Sequence, residues 1–593
     1  MSHPLTNSVH KFYIPVMGTG FTIDTPLKVA RYGISSVVSL VDDVLIEQMR
    51  KRLSKQGETS YEEIGDNEED SRARRITSYL NMMDDMIGDQ VAKMRTSLFE
   101  AGSEITRYYE MLPESPLRAM YQKMQATLDP AERARLQDLL REKVSVGAID
   151  VNIMTKLDRA KLQKGQLLGP QFSDAMSALR GYAQSKVESS VILSAGMNRK
   201  LFSYLADFGD FFPNDRGEIR KRIVLKVSDF RSALLQGKLL ARQGLWVSEY
   251  RVESGLNCGG HAFGGRGTLM GPVLAEFQEK REDLKGTLHE IWIKGMENLG
   301  RSIPAERLDI RVTAQGGIGT AEENRLLQER YDVDAMGWGS PFLLVPEVVN
   351  IPADHLQKII DAGEHDVHLS DASPLGVPFW CLKTSASEEQ RRERIADGKP
   401  GSACPKGFLV SNTEFTKVPI CTASRAFQRR ALKDLESAEL PEFERVEQEY
   451  QIQAKACICH DLAGSATVPT GIDPGANTAV CCGPNTVYFG RQARLREMVD
   501  HIYGRANLPL NFDRPHMFLK ELSLHLDSLR KELDRRGRGL KACNCKQSDE
   551  IKENLISGIG HYRDMAGKLV ASSRDDFLSR LERLRGELDK LSS

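Results

Sequence analysis

Short apolar, β-branched runs alternate with longer segments of helical period over the first 350 residues of the chain. Lys11-Phe-Tyr-Ile-Pro-Val-Met-Gly18 reads as a strand running into a glycine-bearing loop, and Thr25-Pro26 opens a short helix. Strand patterns follow at 34–40, 146–154, 190–194, 223–227, 244–250, 308–313 and 333–336, with helices at 229–243 and 269–299. Strands alternating with helices in this number predict an α/β chain built on a (β/α)8 TIM barrel. An open doubly wound sheet needs a fuller glycine fingerprint after its first strand than Gly18-Thr-Gly20 offers.

The texture changes between about 43 and 142. Charge is dense there, and Ile76, Leu80, Met83 and Ile87 recur at helical spacing. This predicts a large helical insertion with a polar loop near 57–70. A solvated pair of accessory helices is its plain reading, and a lid over the site its functional one. Beyond 350, Pro, Gly and Cys dominate from 370 to 490, around a charged helix near 423–456. The last stretch is helical again, but Leu519, Leu522, Leu526 and Leu529 drift instead of holding heptads, which predicts a packed tail and not a coiled coil. The expected organisation is a barrel over 1–350 carrying the insertion, a Cys-rich, loop-rich extension over 351–500, and a helical tail over 501–593.

Composition narrows the function. Lys and Arg number 81 against 82 Asp and Glu, a balance that gives no support to nucleic-acid binding. No apolar run is long enough to span a membrane, and the first residues lack the features of a signal peptide, so the expected location is the cytoplasm.

Two strand ends carry the candidate chemistry. Val312-Thr-Ala-Gln-Gly-Gly-Ile-Gly-Thr320 and Val333-Asp-Ala-Met-Gly-Trp-Gly-Ser-Pro-Phe342 each close on small residues whose amides can face a bound group. Consecutive ends of this kind suit a phosphate site at the last strands of a barrel, hence a phosphate-bearing cofactor. His261 lies in a glycine-flanked loop after the strand at 244–250, where an imidazole can exchange a proton near neutrality; a loop-stabilising histidine is the alternative.

Five segments in order resemble the nitronate monooxygenase (2-nitropropane dioxygenase-like) family of FMN-dependent barrels. They are Ile14-Pro-Val-Met-Gly-Thr-Gly20, Val151-Asn-Ile-Met154, the strand at 223–227 with its following helix, Asn257-Cys-Gly-Gly-His261, and the pair of glycine loops. The resemblance implies FMN, with Met17 and Gly18 against the ring and Asn152 hydrogen-bonding its ribityl chain or phosphate. Lys226 would stabilise negative charge on the reduced flavin. The amides of Gly316, Gly317, Gly337, Gly339 and Ser340 would hold the phosphate, and His261 would be the catalytic base. The implied reaction is oxidation of a small carbon acid or alkyl nitronate with O2. An enoyl reductase using NAD(P)H shares the barrel and its loops, and a non-catalytic scaffold is the reading from outside enzymology. The chain departs from the family in its insertion and in Ala262-Phe263-Gly264 after the histidine.

Nine of the 10 cysteines follow residue 350. Cys404, Cys421, Cys457 and Cys459 form the best candidate metal set, for Zn or an iron–sulfur cluster. None of the spacings is a Cys-x2-Cys knuckle, so buried thiols in a loop-rich segment stand as the equal alternative.

Overall fold

The computed structural model describes residues 8–163, 166–194, 196–258, 266–403, 405–509, 513–538, 545–567, 569 and 571–591. Eight parallel strands close into a barrel: β1 (Phe12–Ile14), β2 (Ser35–Ser39), β3 (Ile149–Ile153), β4 (Ser190–Leu193), β5 (Arg222–Val227), β6 (Val247–Glu253), β7 (Arg311–Gln315) and β8 (Ala335–Gly337). Each strand pairs with its sequence neighbours, and β1 closes the ring by pairing with β8 through Tyr13↔Gly337. The fold is therefore the expected (β/α)8 TIM barrel with helical additions.

Two strands, β6 and β7, lie further along the chain than expected. β6 begins at Val247, not at 244, because Gly244 at φ +71 turns the chain out of the helix Phe230–Ala241. It then runs on through Arg251 to Glu253, and β7 likewise extends to Gln315. Their inward positions are polar, so the apolar pattern stops before the strand does. Glu249 takes Arg251 Nε at 2.8 Å and Thr313 Oγ1 at 2.6 Å, and Arg251 lies 3.9 Å over the Tyr13 ring. A buried charge is tolerable only with such partners. The other half of the interior is apolar, with Val37, Ile192 and Val224 packed together against Val16.

The insertion holds five helices and not a pair: Asp43–Gln56, Ser71–Thr96, Glu104–Met111, Pro116–Ala126 and Pro130–Glu142. Ile76, Leu80, Met83 and Ile87 are all buried, as their spacing predicts. The helix Ser71–Thr96 lies against the helix Asp174–Gln184, where Gly181 permits the approach: a Cβ there would meet Ile76 Cβ at 2.8 Å. This contact runs along the barrel's flank.

The extension contains an antiparallel pair that its composition did not predict, β9 (Val367–Ser370) with β10 (Phe379–Leu382). The charged helix expected near 423–456 is two, Arg425–Glu436 and Glu442–Gln453, with Pro441 at the start of the second. Among the described residues the tail packs as three helices, Met517–Gly537, Cys545–Ala566 and Ala571–Lys590, and Leu519, Leu522, Leu526 and Leu529 are buried in it. Among the described residues no helix is long and apolar enough to cross a membrane.

Glu521 joins the tail to the barrel. Its Oε2 accepts the Met270 N–H at 2.9 Å and the Tyr562 hydroxyl at 3.4 Å, at the start of the helix Met270–Asn298. Burial pushes its carboxyl up to about 8, against the pull of those two donors. An unfolded glutamate titrates near about 4.3. Between the two values the folded state keeps a proton that the unfolded state releases, so stability falls as pH rises, by up to about 1.4 kcal/mol per unit. Glu521→Gln removes that slope. Its melting temperature should exceed the wild type's by a margin that widens from pH 5 to pH 8; a constant margin would show that Glu521 is not the titrating group.

Candidate functional site at the C-terminal mouth of the barrel

Three strand ends converge on one carboxylate. Glu253 Oε1, at the end of β6, receives Lys226 Nζ at 2.7 Å from β5, Gln315 Nε2 at 2.6 Å from β7 and Asn257 Nδ2 at 2.6 Å from the loop that follows β6. Gln315 in turn accepts the Tyr13 hydroxyl at 3.2 Å, which links β1 to the group. Glu253 is 6% exposed and Lys226 8%. Glu253 is thus the partner that offsets the desolvation of the buried Lys226 ammonium. Lys156, exposed in the loop after β3, is near enough for its charge to feel Glu253 and Lys226. Desolvation holds its ammonium below the usual lysine range, with Glu253 opposing and Lys226 adding to the shift. Asn152 stands half-buried near the end of β3. Neither Glu253 nor Gln315 is singled out by the sequence motifs, although continuing the period-two pattern from Glu249 through Arg251 reaches Glu253.

The two glycine loops adjoin, since Gly337 is in register with Gln315. The carbonyls of the first loop are held from outside. Ser254 Oγ donates to Gly316 O at 3.1 Å, Arg514 to Gly317 O at 2.9 Å and Asn485 Nδ2 to Ile318 O at 2.8 Å, while His501 contacts Gly319 O at 2.9 Å. In a trans peptide the N–H points opposite the C=O, so these bonds aim the following amides away from their holders. Gly316 and Gly317 sit at φ +112 and +83, the region that favours glycine. The amides of Gly316, Gly317, Gly339 and Ser340 make no hydrogen bond among the described residues. Four donors without acceptors at adjoining strand ends fit a phosphate dianion. The start of the helix Ala321–Tyr331 does not contribute. Glu323 Oε2 already accepts the amides of Gly319 at 2.8 Å and Thr320 at 3.2 Å, closing a Thr-x-x-Glu capping box.

Gly337 has a steric role. A Cβ there would meet Gln315 Cβ at 2.6 Å and the Tyr13 ring at 3.0 Å, so its missing side chain makes room for the polar interior. Met17 is fully buried beside Gly339. Gly18, at φ +130, abuts Phe21 and Leu462. The extension forms a roof here. Leu462 O accepts the Gly20 amide at 3.3 Å, Trp380 Nε1 donates to Gly255 O at 3.0 Å, and Thr486 Oγ1 reaches Ser340 O at 3.4 Å.

His261 lies outside the described residues, as does Cys404. The His261 loop is anchored on both sides. Cys258 contacts the Cys481 carbonyl on one side, and on the other Asn554 Nδ2 donates to Arg266 O at 2.7 Å. Cys421 and Cys457 are buried and Cys459 is half-buried. Among the described residues no three His, Cys, Asp or Glu side chains are grouped to hold a metal. The thiols nearest the barrel mouth are Cys258, Cys481 and Cys482, and burial pushes Cys258 and Cys482 far above the usual thiol range. Protonated thiols pack as small apolar groups.

No protein-family profile matches the chain, and no curated protein matches it. Among solved structures it is similar to the enoyl reductase domain of MlnA from the macrolactin biosynthesis cluster of Bacillus amyloliquefaciens. That match has 14% identity and a TM-score of 0.32, over 71% of this chain and 89% of the other. It is also similar to nitroalkane oxidase from Streptomyces ansochromogenes, with 10% identity and a TM-score of 0.34, over 84% of this chain and 94% of the other. At such scores neither likeness bears on function, and the assignment of the fold rests on the closed ring of eight strands itself.

Proposed function

We propose that the C-terminal mouth binds FMN and that the protein is a flavin-dependent oxidoreductase acting on a small carbon acid or alkyl nitronate. The observation that carries this reading is the set of four amides at the ends of β7 and β8 that have no acceptor among the described residues, next to a polar barrel mouth. FMN, when bound, supplies reversible two-electron transfer. Gly316, Gly317, Gly339 and Ser340 hold its phosphate. Lys226 pairs with Glu253, and Lys156 is near enough for its charge to feel both, which leaves the mouth with an excess of positive charge suited to an anionic substrate. Asn152 orients the ligand, and His261 takes the substrate proton. Cys258 and the roof from the extension keep water from the loops.

Purified protein tests this directly. A flavin spectrum that is bleached anaerobically by an alkyl nitronate is the expected result. Bleaching by NADPH alone would assign a reductase, and colourless protein that takes up no added FMN would leave a scaffold. His261→Ala is expected to keep FMN while losing turnover by about 100-fold or more, the usual scale for a general base. Undiminished turnover in that variant would remove His261 from the chemistry.

A further inference from the structure

The opposite end of the barrel is open. Residues at or near the starts of all eight strands surround a hollow of about 820 Å³. Barrels ordinarily fill their interior with layers of branched apolar side chains. Here Ser35, Ser190, Ser248 and Ala335 stand in the lining, too small to plug it. Four arginines line the hollow: Arg220 at the rim, and Arg222, Arg251 and Arg311 on the strands, the last three beside the strand carboxyls Asp150 and Glu249.

These arginines are not equally engaged. Arg251 is bound to Glu249 at 2.7 Å. Arg311 approaches the same carboxylate only to 3.9 Å. Arg222, the first residue of β5, makes no ion pair among the described residues; its Nε touches Ser190 Oγ at 3.4 Å. Asp150 uses Oδ1 to accept the Ser190 amide at 2.8 Å. Ser248 is 2% exposed, and its hydroxyl has no partner among the described residues. At the rim Lys186 meets Asp84 and Asp85, and Arg220 meets Glu188 and Asp210, so the rim is acidic and the excess of cations is confined to the strand arginines that face Asp150 and Glu249.

We propose that this hollow is a second binding site, for a small metabolite carrying a carboxylate or phosphate group, gripped by Arg222 and Arg311. Guanidinium forks match either oxyanion, and the volume is that of a small-molecule pocket. The site is separate from the flavin mouth and does not depend on it.

Calorimetric titration of the full-length protein with inorganic phosphate and with succinate tests the assignment. Saturable millimolar binding of at least one is expected. Succinate alone would assign a carboxylate ligand, phosphate alone a phosphate ester, and both a general oxyanion site. Arg222→Gln should weaken binding at least tenfold, and Arg311→Gln, whose side chain is 27% exposed and safer for folding, severalfold. The proposal is overturned if neither anion binds saturably, or if both arginine variants bind as the wild type does.

Discussion

Replacing Arg514 by alanine is expected to destabilise the protein by about 3–5 kcal/mol, the cost of leaving a buried charge without its partner. Arg514 contacts both oxygens of Glu323, at 2.9 and 2.8 Å, and the two side chains are 7% and 2% exposed. The same guanidinium reaches Asn485 Oδ1 at 2.7 Å and Gly317 O at 2.9 Å. It therefore ties together the tail, the extension and the first glycine loop. Burial would raise the Glu323 carboxyl, but Arg514, with His516 and the Gly319 amide, holds it below the usual range. A lowered pKa contributes stability above the unfolded value of about 4.3 and loses it as pH falls through the folded value. In Arg514→Ala the uncompensated carboxyl would instead take up a proton. The loss should therefore be largest near neutrality and shrink in acid. Denaturant unfolding at pH 7 and pH 4 measures both. A loss below about 1 kcal/mol at pH 7, the level of an exposed pair, would show that Glu323 is not buried as described.

Gly339→Asp should abolish flavin binding while leaving the fold intact. The choice of position matters. A substitution at Gly317 confounds two effects, because any Cβ there would lie 2.6 Å from Leu256 and its φ of +83 strains a side chain. Gly339 has a negative φ of −101, and a Cβ there would meet only Pro15 Cγ at 3.3 Å, with Cys258 and Met17 at 3.8 Å. A carboxylate at this point faces the amides proposed to hold the phosphate. Repulsion between it and a dianion at about 4 Å costs several kcal/mol at the effective dielectric of a protein surface. Flavin content should fall at least 100-fold, while Gly339→Ala keeps most of it and the melting temperature of both stays near the wild type's. Stoichiometric flavin in Gly339→Asp would place the phosphate elsewhere.

Which parts were legible in the sequence follows from where polarity lay. The buried stripe of Ile76, Leu80, Met83 and Ile87 was readable because one helix face is apolar. The glycine-bearing strand ends were readable too, since few other residues adopt the positive φ found at Gly316 and Gly317. The ends of β6 and β7 were not readable, since Arg251, Glu253 and Gln315 look exposed until partners from other strands surround them. Lys226 shows the same limit. Burial made a partner necessary, but only the register of β5 beside β6 supplied Glu253. The cysteines were the hardest case, for a Cys-x-Cys spacing does not say whether its thiols meet others.

By itself the sequence determined the alternation of strands and helices, and with it the barrel, because strand and helix periods are written in local order. It also determined where the backbone could take a positive φ, as at Gly316 and Gly317, because glycine's freedom is a property of one residue. Tertiary structure alone decided which polar groups neutralise one another across the barrel. Closing eight strands brings Lys226 and Gln315 onto Glu253 from positions up to 89 residues apart, and at the other end leaves Arg222 without an ion pair among the described residues. Pairing of charges depends on distances through space, which no spacing along the chain encodes.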